Sequence, residues 1–265
     1  MPGSATSELQ KISPTLLEEA RRRTAEVKER IAESAARVDR APEEITLVGV
    51  AKRQPTERIL AAIAAGLRVI GQSYVQEARE VRPKIESALA RDPSTSQIRL
   101  DWRMVGRLQR NKAGLAARLF DAVETLDRPE LATSLSRRAQ VEGHTLDVLI
   151  QVSLCGEPQK GGCEEDALLP LARQILELDG LRLRGLMTIP SASPDPESAR
   201  PAFRRLRELR QRLADLDPAL AHSELSMGMS GDLEIAVEEG ATLVRVGTAL
   251  FGERIDPASK RSSRG

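Results

Sequence analysis

Two short stretches near the end of the chain carry the residue types of an anion cradle. The first, LSMGMSGDLEIAVEEG, runs from Leu225 to Gly240, and the second, VRVGTALFG, from Val244 to Gly252. Each places small residues where an apolar run gives way to a helical pattern: Ser230 and Gly231 in the first, Gly247 and Thr248 in the second. Glycine lets a ligand approach the backbone closely, and the free N–H groups of a helix start favour phosphate. One Gly-rich turn is weak evidence, because most such turns only connect elements, but two in tandem argue for a bound anion. Lys52 ends the apolar run VGVAK. Alone, a lysine there reads as a solvated strand cap. In a partly desolvated pocket beside a phosphate site, its amine would lose its proton more easily and could form an imine with an aldehyde.

The elements that would bring these residues together follow from the alternation of the chain. After Ser13-Pro14, residues 15–38 repeat Leu16, Ala20, Val27, Ile31 and Ala35 at helical spacing, which predicts an amphipathic helix with a capped start. Strand-like runs are expected at 45–51, 68–71, 100–105, 120–124, 146–153, 181–187, 222–226 and 242–246. Helical patterns follow at 56–65, 74–90, 109–117, 128–140, 164–178, 196–214, 232–239 and 248–251. Eight strands alternating with helices predict a single (β/α)8 TIM barrel with an extra N-terminal helix, occupying 13–256 between loose ends at 1–12 and 257–265. An open doubly wound sheet competes, but no G-x-G-x-x-G follows the first strand. In a barrel the functional face lies at the C-terminal ends of the strands, and phosphate is often held after strands seven and eight. Strand eight closes against strand one, which sets Lys52 beside the cradle.

Composition narrows the classes further. The 265 residues carry 40 basic and 39 acidic side chains, so no strong field for nucleic acid or an anionic membrane is expected. Aromatic residues are 2% of the chain, too few to stack unpaired bases. Cys155 and Cys163, with His144 and His222 elsewhere, lack zinc-ligand spacing and a disulfide framework. A reducing cytoplasm suits both thiols, and the sequence shows neither a signal-peptide pattern nor an apolar run of membrane-spanning length.

VGVAKRQP at 48–55, GQSYVQEA at 71–78, WRMVGRLQRNK at 102–112, LIQVS at 149–153, GLMTIP at 185–190 and the long run at 226–252 together resemble the pyridoxal-phosphate homeostasis proteins. The resemblance implies a barrel similar to the N-terminal domain of alanine racemase, with pyridoxal 5′-phosphate carried on Lys52. It further implies Ser230, Gly231, Gly247 and Thr248 around the phosphate, Arg245 facing the pyridine nitrogen and Ser226 nearby. On spacing alone Arg245 could equally be a buried ion-pair member. Departures from the family pattern stand at Gln54, Gln72, Ser73 and Arg103, on the aldehyde side and the exchange path of the cofactor.

Two functions from different classes fit. One is a carrier that buffers pyridoxal phosphate and passes it to apo enzymes; the other is an amino-acid racemase or related Schiff-base enzyme. Racemisation calls for two positioned acid/base groups. Tyr74 is the only tyrosine, and only 19 residues follow the last strand, too few for the second domain with which alanine racemases complete their site. The carrier, expected as a monomer, is therefore favoured. A phosphosugar lyase or aldolase using Lys52 is a weaker third option.

Overall fold

The computed structural model describes residues 12–253. The ends expected to be loose, 1–12 and 257–265, lie outside the described residues except for Ile12. Helix α1 (Pro14–Ala36) opens the fold; Ser13 caps it, its Oγ accepting from the Leu16 amide at 3.2 Å, and Pro14 occupies the first turn, where no N–H is needed. The strands β1 (Thr46–Val50), β2 (Val69–Gln72), β3 (Asp101–Met104), β4 (Ala122–Leu126), β5 (Leu146–Gln151), β6 (Leu181–Met187), β7 (Glu224–Ser226) and β8 (Leu243–Val246) pair in parallel in chain order and close into a barrel. Closure is direct, with Val48 opposite Arg245 and Gly49 opposite Val246.

The helices α2 (Thr56–Ala64), α3 (Val75–Arg91), α4 (Ala113–Leu119), α5 (Pro129–Glu142), α6 (Glu165–Leu176), α7 (Arg200–Leu216), α8 (Leu233–Glu238) and α9 (Thr248–Phe251) alternate with the strands around the outside. α1 packs against α2, α8 and α9 and so covers the seam where β8 meets β1. The main apolar core lies between sheet and helices and includes Trp102, Phe120, Ile59 and Phe203. Inside the barrel a smaller cluster forms from Val48, Val69, Val105, Leu149, Met187 and Leu243. Because side chains alternate across a strand, Val48 and Val50 of β1 face inward and Lys52 follows on the same face.

Two features depart from the expected pattern. β4 begins at Ala122, two residues later than expected, because Phe120 caps the end of α4 and is buried in the outer core. Its apolar character mimics a strand start, while the true strand carries the polar Glu124 and Thr125. The lower half of the barrel is also charged. Arg103 is 7% exposed and bonds Asp101 at 2.7 Å, Glu224 at 2.9 Å and the fully buried Glu124 at 3.4 Å. Burial alone would pull the Arg103 guanidinium down, but Glu124, Glu224 and Asp101 outweigh it and hold it above its usual value. Buried charge is stable only when paired in this way.

Candidate functional site

A cavity of about 360 Å3 opens at the C-terminal ends of the strands. It collects Lys52, Ser230, Gly231, Arg245, Gly247 and Thr248 from opposite ends of the sequence. Of the residues singled out for the site, only Ser226 is not on its wall. Ser226 lies fully buried beside Arg245, donating from Oγ to Glu124 Oε2 at 2.6 Å and accepting from Arg245 Nη1 at 2.7 Å. The second guanidinium nitrogen, Nη2, donates to the Thr188 carbonyl at 2.8 Å. Arg245 thus lines the cavity and reaches its carboxylate through a hydroxyl rather than by direct pairing. Burial pushes its guanidinium below the usual value, while Glu124 and Asp232 oppose that shift.

The turn after β7 is locked from both sides. Gly228 has φ +90, and a Cβ there would sit 2.4 Å from that of Ala236, so both its backbone and its neighbours require glycine. The Met229 amide donates to Asp232 Oδ1 at 2.5 Å, and the Asp232 amide donates to the Met229 carbonyl at 3.2 Å. Burial pushes the Asp232 carboxyl up, against the Met229 hydrogen bond and the Arg245 charge. From outside the barrel Arg30 of α1 donates to the Ser230 carbonyl at 2.9 Å and holds Glu234 at 2.6 Å and 3.0 Å. The Ser230 carbonyl is drawn toward α1, and the amides of Ser230 and Gly231 donate to no acceptor among the described residues. After Gly247 the amides of Thr248 and Ala249 likewise donate to no acceptor among the described residues, whereas those of Leu250 and Phe251 donate to the Gly247 carbonyl at 3.0 Å and 2.9 Å.

Lys52 sits in a turn closed by the Gln54 amide donating to the Ala51 carbonyl at 3.0 Å. Arg53 follows in the left-handed region, φ +57, an uncommon conformation for a bulky residue. Its amide donates to Glu77 Oε1 at 2.5 Å, which ties the turn to α3. Burial raises the Glu77 carboxyl, opposed by the Arg53 amide and by the charges of Arg53 and Lys52. Arg30, Glu77 and Glu124, which the sequence did not single out, contact the candidate site residues or the turns that carry them.

The four departures separate. Gln54 and Ser73 line the cavity. Gln54 is itself pinned, donating to the Gly252 carbonyl at 3.4 Å and accepting from Arg58 at 3.3 Å. Gln72 shares a strand face with Ile70, turned to the helices, and its buried amide has no partner among the described residues. Arg103 belongs to the charged layer below and does not line the cavity.

An amine ending β1, with a hydroxyl and amide cradle after β7 and β8, defines a barrel of the alanine racemase N-terminal type; the family model of that domain matches residues 25–255. Within that class the chain is 45% identical to the pyridoxal phosphate homeostasis protein of Vibrio cholerae over 215 residues, 81% of this chain and 88% of that one. The protein of the same name from Aquifex aeolicus is 41% identical over 233 residues, 88% and 97% of the two chains. The chain belongs to the pyridoxal phosphate homeostasis protein family. Among solved structures, PipY of Synechococcus elongatus with PLP bound superposes with a TM-score of 0.72 at 34% identity, covering 84% of this chain and 100% of that one. Among the described residues, no helix is long and apolar enough to cross a membrane, and no cluster of His, Cys, Asp and Glu could hold a metal ion.

Proposed function

We propose that this protein holds pyridoxal 5′-phosphate as a Schiff base on Lys52 and acts as a buffer or carrier of that cofactor without turning over amino acids. The observation that carries this reading is the meeting of one amine and one anion cradle in a single cavity of about 360 Å3, within the range of small-ligand sites. The residues fit the group. A Cβ on Gly231 would meet nothing within 4 Å, and one on Gly247 nothing nearer than 3.4 Å, so packing does not demand glycine at either position. The space left is what an anion needs to reach the amides. Ser230 and Thr248 add hydroxyls.

When bound, the cofactor would supply an aldehyde and an electron-withdrawing ring. The chain's own groups restrain that chemistry. Arg245, fixed by Ser226 and Thr188, places a positive charge in the cavity wall and would disfavour protonation of a pyridine nitrogen facing it. Lys52 and Arg245 are the ionisable side chains on that wall, and an arginine is a poor acid or base. Tyr74 is 47% exposed and off the wall, so it does not supply a second proton-transfer group there. The recipients of the cofactor would be apo pyridoxal-phosphate enzymes, and a reducing cytoplasm accommodates the two free cysteines.

The test is spectroscopic. Purified protein should show the imine absorbance, borohydride should fix the cofactor to one peptide containing Lys52, and Lys52→Ala should stay folded without the band. Loaded protein should also transfer cofactor to an apo enzyme. Trapping on Lys112 or Lys160 would overturn the site. Substrate α-proton exchange in deuterated water, dependent on Lys52 and much faster than with free cofactor, would replace the carrier with an enzyme.

A further inference from the structure

At the opposite end of the barrel the chain gathers positive charge around a second cavity, of about 690 Å3. Arg40 enters it just beyond α1, Arg207 and Arg210 enter from consecutive turns of α7, and His222 and Thr242 stand just before β7 and β8; two carboxylates, Glu44 and Glu238, share the wall. We propose that this cavity is a second anion site, independent of Lys52, that takes a phosphorylated small molecule.

The carboxylates on and beside this wall are already engaged by arginines, Arg40 and Arg207 among them. Glu44 accepts from Arg40 Nε at 3.1 Å and from the Ala41 amide at 3.1 Å. Glu238 takes Arg37 at 2.9 Å and Arg200 at 2.7 Å. Glu239 takes Arg200 at 3.2 Å and both Arg204 and Arg207 at 3.1 Å. Arg210 is left with none among the described residues. Among the described residues its one bond is from Nη1 to the Ser223 carbonyl, at a long 3.4 Å. Burial, together with the charges of Arg40 and Arg207, pushes its guanidinium below the usual value, the signature of a cation held among cations.

The donors differ in what they offer. Arg40 is committed to structure, since Nη1 and Nη2 donate to the Val237 and Ala241 carbonyls at 2.8 Å and 2.9 Å, so it contributes field more than free N–H groups. Arg210 retains most of its guanidinium fork, the geometry that matches the oxygens of phosphate. The Thr242 Oγ1 accepts from the Leu225 amide at 2.8 Å, which leaves its hydroxyl proton to donate. Beside the Arg210 contact, the Ser223 hydroxyl is buried without a partner among the described residues. Gly240, with φ +96, lets the Arg207 stem lie 3.4 Å from where a Cβ would be, so the arginine can fold over the cavity rather than leave it. Donors converging from four elements into a concavity suit a compact multivalent anion, and a cavity of this volume is on the scale of a small ligand.

The experiment titrates cofactor-loaded protein, whose cradle is filled, with inorganic phosphate and with pyrophosphate, followed by calorimetry and 31P line broadening. Both probes should bind saturably, and citrate should bind at least about tenfold more weakly. Arg210→Met should weaken pyrophosphate at least about tenfold, as loss of a charge-assisted hydrogen bond implies, and His222→Asn by a smaller factor. Arg118→Gln removes an equal charge from an exposed pair with Glu142 and should change nothing. If Arg210→Met fails to fold, Arg210→Lys, which keeps the charge and loses the fork, should still bind several-fold more weakly than wild type. Equal affinity in wild type, Arg210→Met and Arg118→Gln would overturn the site, as would wild-type affinity in Arg210→Lys. Citrate binding as tightly as pyrophosphate would overturn the phosphate assignment. None of these outcomes depends on the imine band of Lys52, so this site and the cofactor site fail separately.

Discussion

Arg30, on a helix outside the barrel, donates to the carbonyl of Ser230, inside the proposed phosphate cradle, at 2.9 Å. The same guanidinium grips Glu234 of α8, so one side chain fixes both the turn and the helix that follows it. The extra N-terminal helix therefore braces the proposed cradle rather than standing apart from it. Arg30→Ala should weaken cofactor binding about three- to tenfold, less than a fully buried charged hydrogen bond would give, because the Arg30 side chain is 33% exposed. An absorbance titration reads the affinity, and at saturating cofactor the imine should still form. An unchanged affinity would remove α1 from the account of the site.

Glu77 bears on the other end of the cavity. Its carboxylate accepts the Arg53 amide and keeps Arg53 left-handed directly after Lys52. Glu77→Gln retains an oxygen that can accept, whereas Glu77→Ala does not. The alanine variant should lose several-fold in cofactor affinity and in the rate of imine formation, while the glutamine variant stays within about twofold of wild type, the difference reflecting one hydrogen bond of ~1 kcal/mol. Stopped-flow mixing with cofactor separates the two. Identical rates in both variants would mean that the turn holds Lys52 without help.

Cys163 predicts a pH dependence. Burial, reinforced by the charge of Asp127, pushes its thiol up to about 12 from an ordinary value of 9.0. The unfolded chain therefore releases this proton first as the pH rises, and above about pH 9 it binds fewer protons than the folded one. Stability from this group is complete below pH 9 and is lost progressively toward pH 12. Cys163→Ala should flatten that part of the alkaline denaturation curve. In native protein at pH 8, iodoacetamide should leave Cys163 unmodified until denaturant is added; rapid native alkylation there would contradict the burial.

The barrel is legible because every strand overlaps the run expected for it, although β4 and β7 each start two residues late, and because α1 shows its stripe of Val27, Ile31 and Ala35 openly. β4, expected at 120–124, runs Ala122–Leu126, because the helix-end Phe120 looks like a strand start and the polar pair Glu124 and Thr125 looks like a strand end. Lys52 and the paired small-residue turns could be read together, since barrel closure makes their strands neighbours. Arg30, Glu77 and Glu124 could not. Each acts through a partner distant in sequence, and a charged residue on a helix or strand has no local mark that separates a buried tether from a solvated surface. Ser226 was placed near the ring by resemblance; the structure sets it beneath Arg245, joining that residue to a carboxylate.

Barrel closure also governs when the site can exist. Lys52 emerges early in synthesis, yet the amides and hydroxyls opposite it arrive only with the last turns after β7 and β8, and Gly49 meets Val246 only once β8 has formed. Pairing so distant in sequence is slow and comes late in folding. A nascent chain stalled before β8 would expose an amine able to react reversibly with any aldehyde, but would have no cradle to retain one. With the proposed site, stable loading would be confined to chains translated through β8, and an absorbance measurement of retained cofactor would count completed barrels.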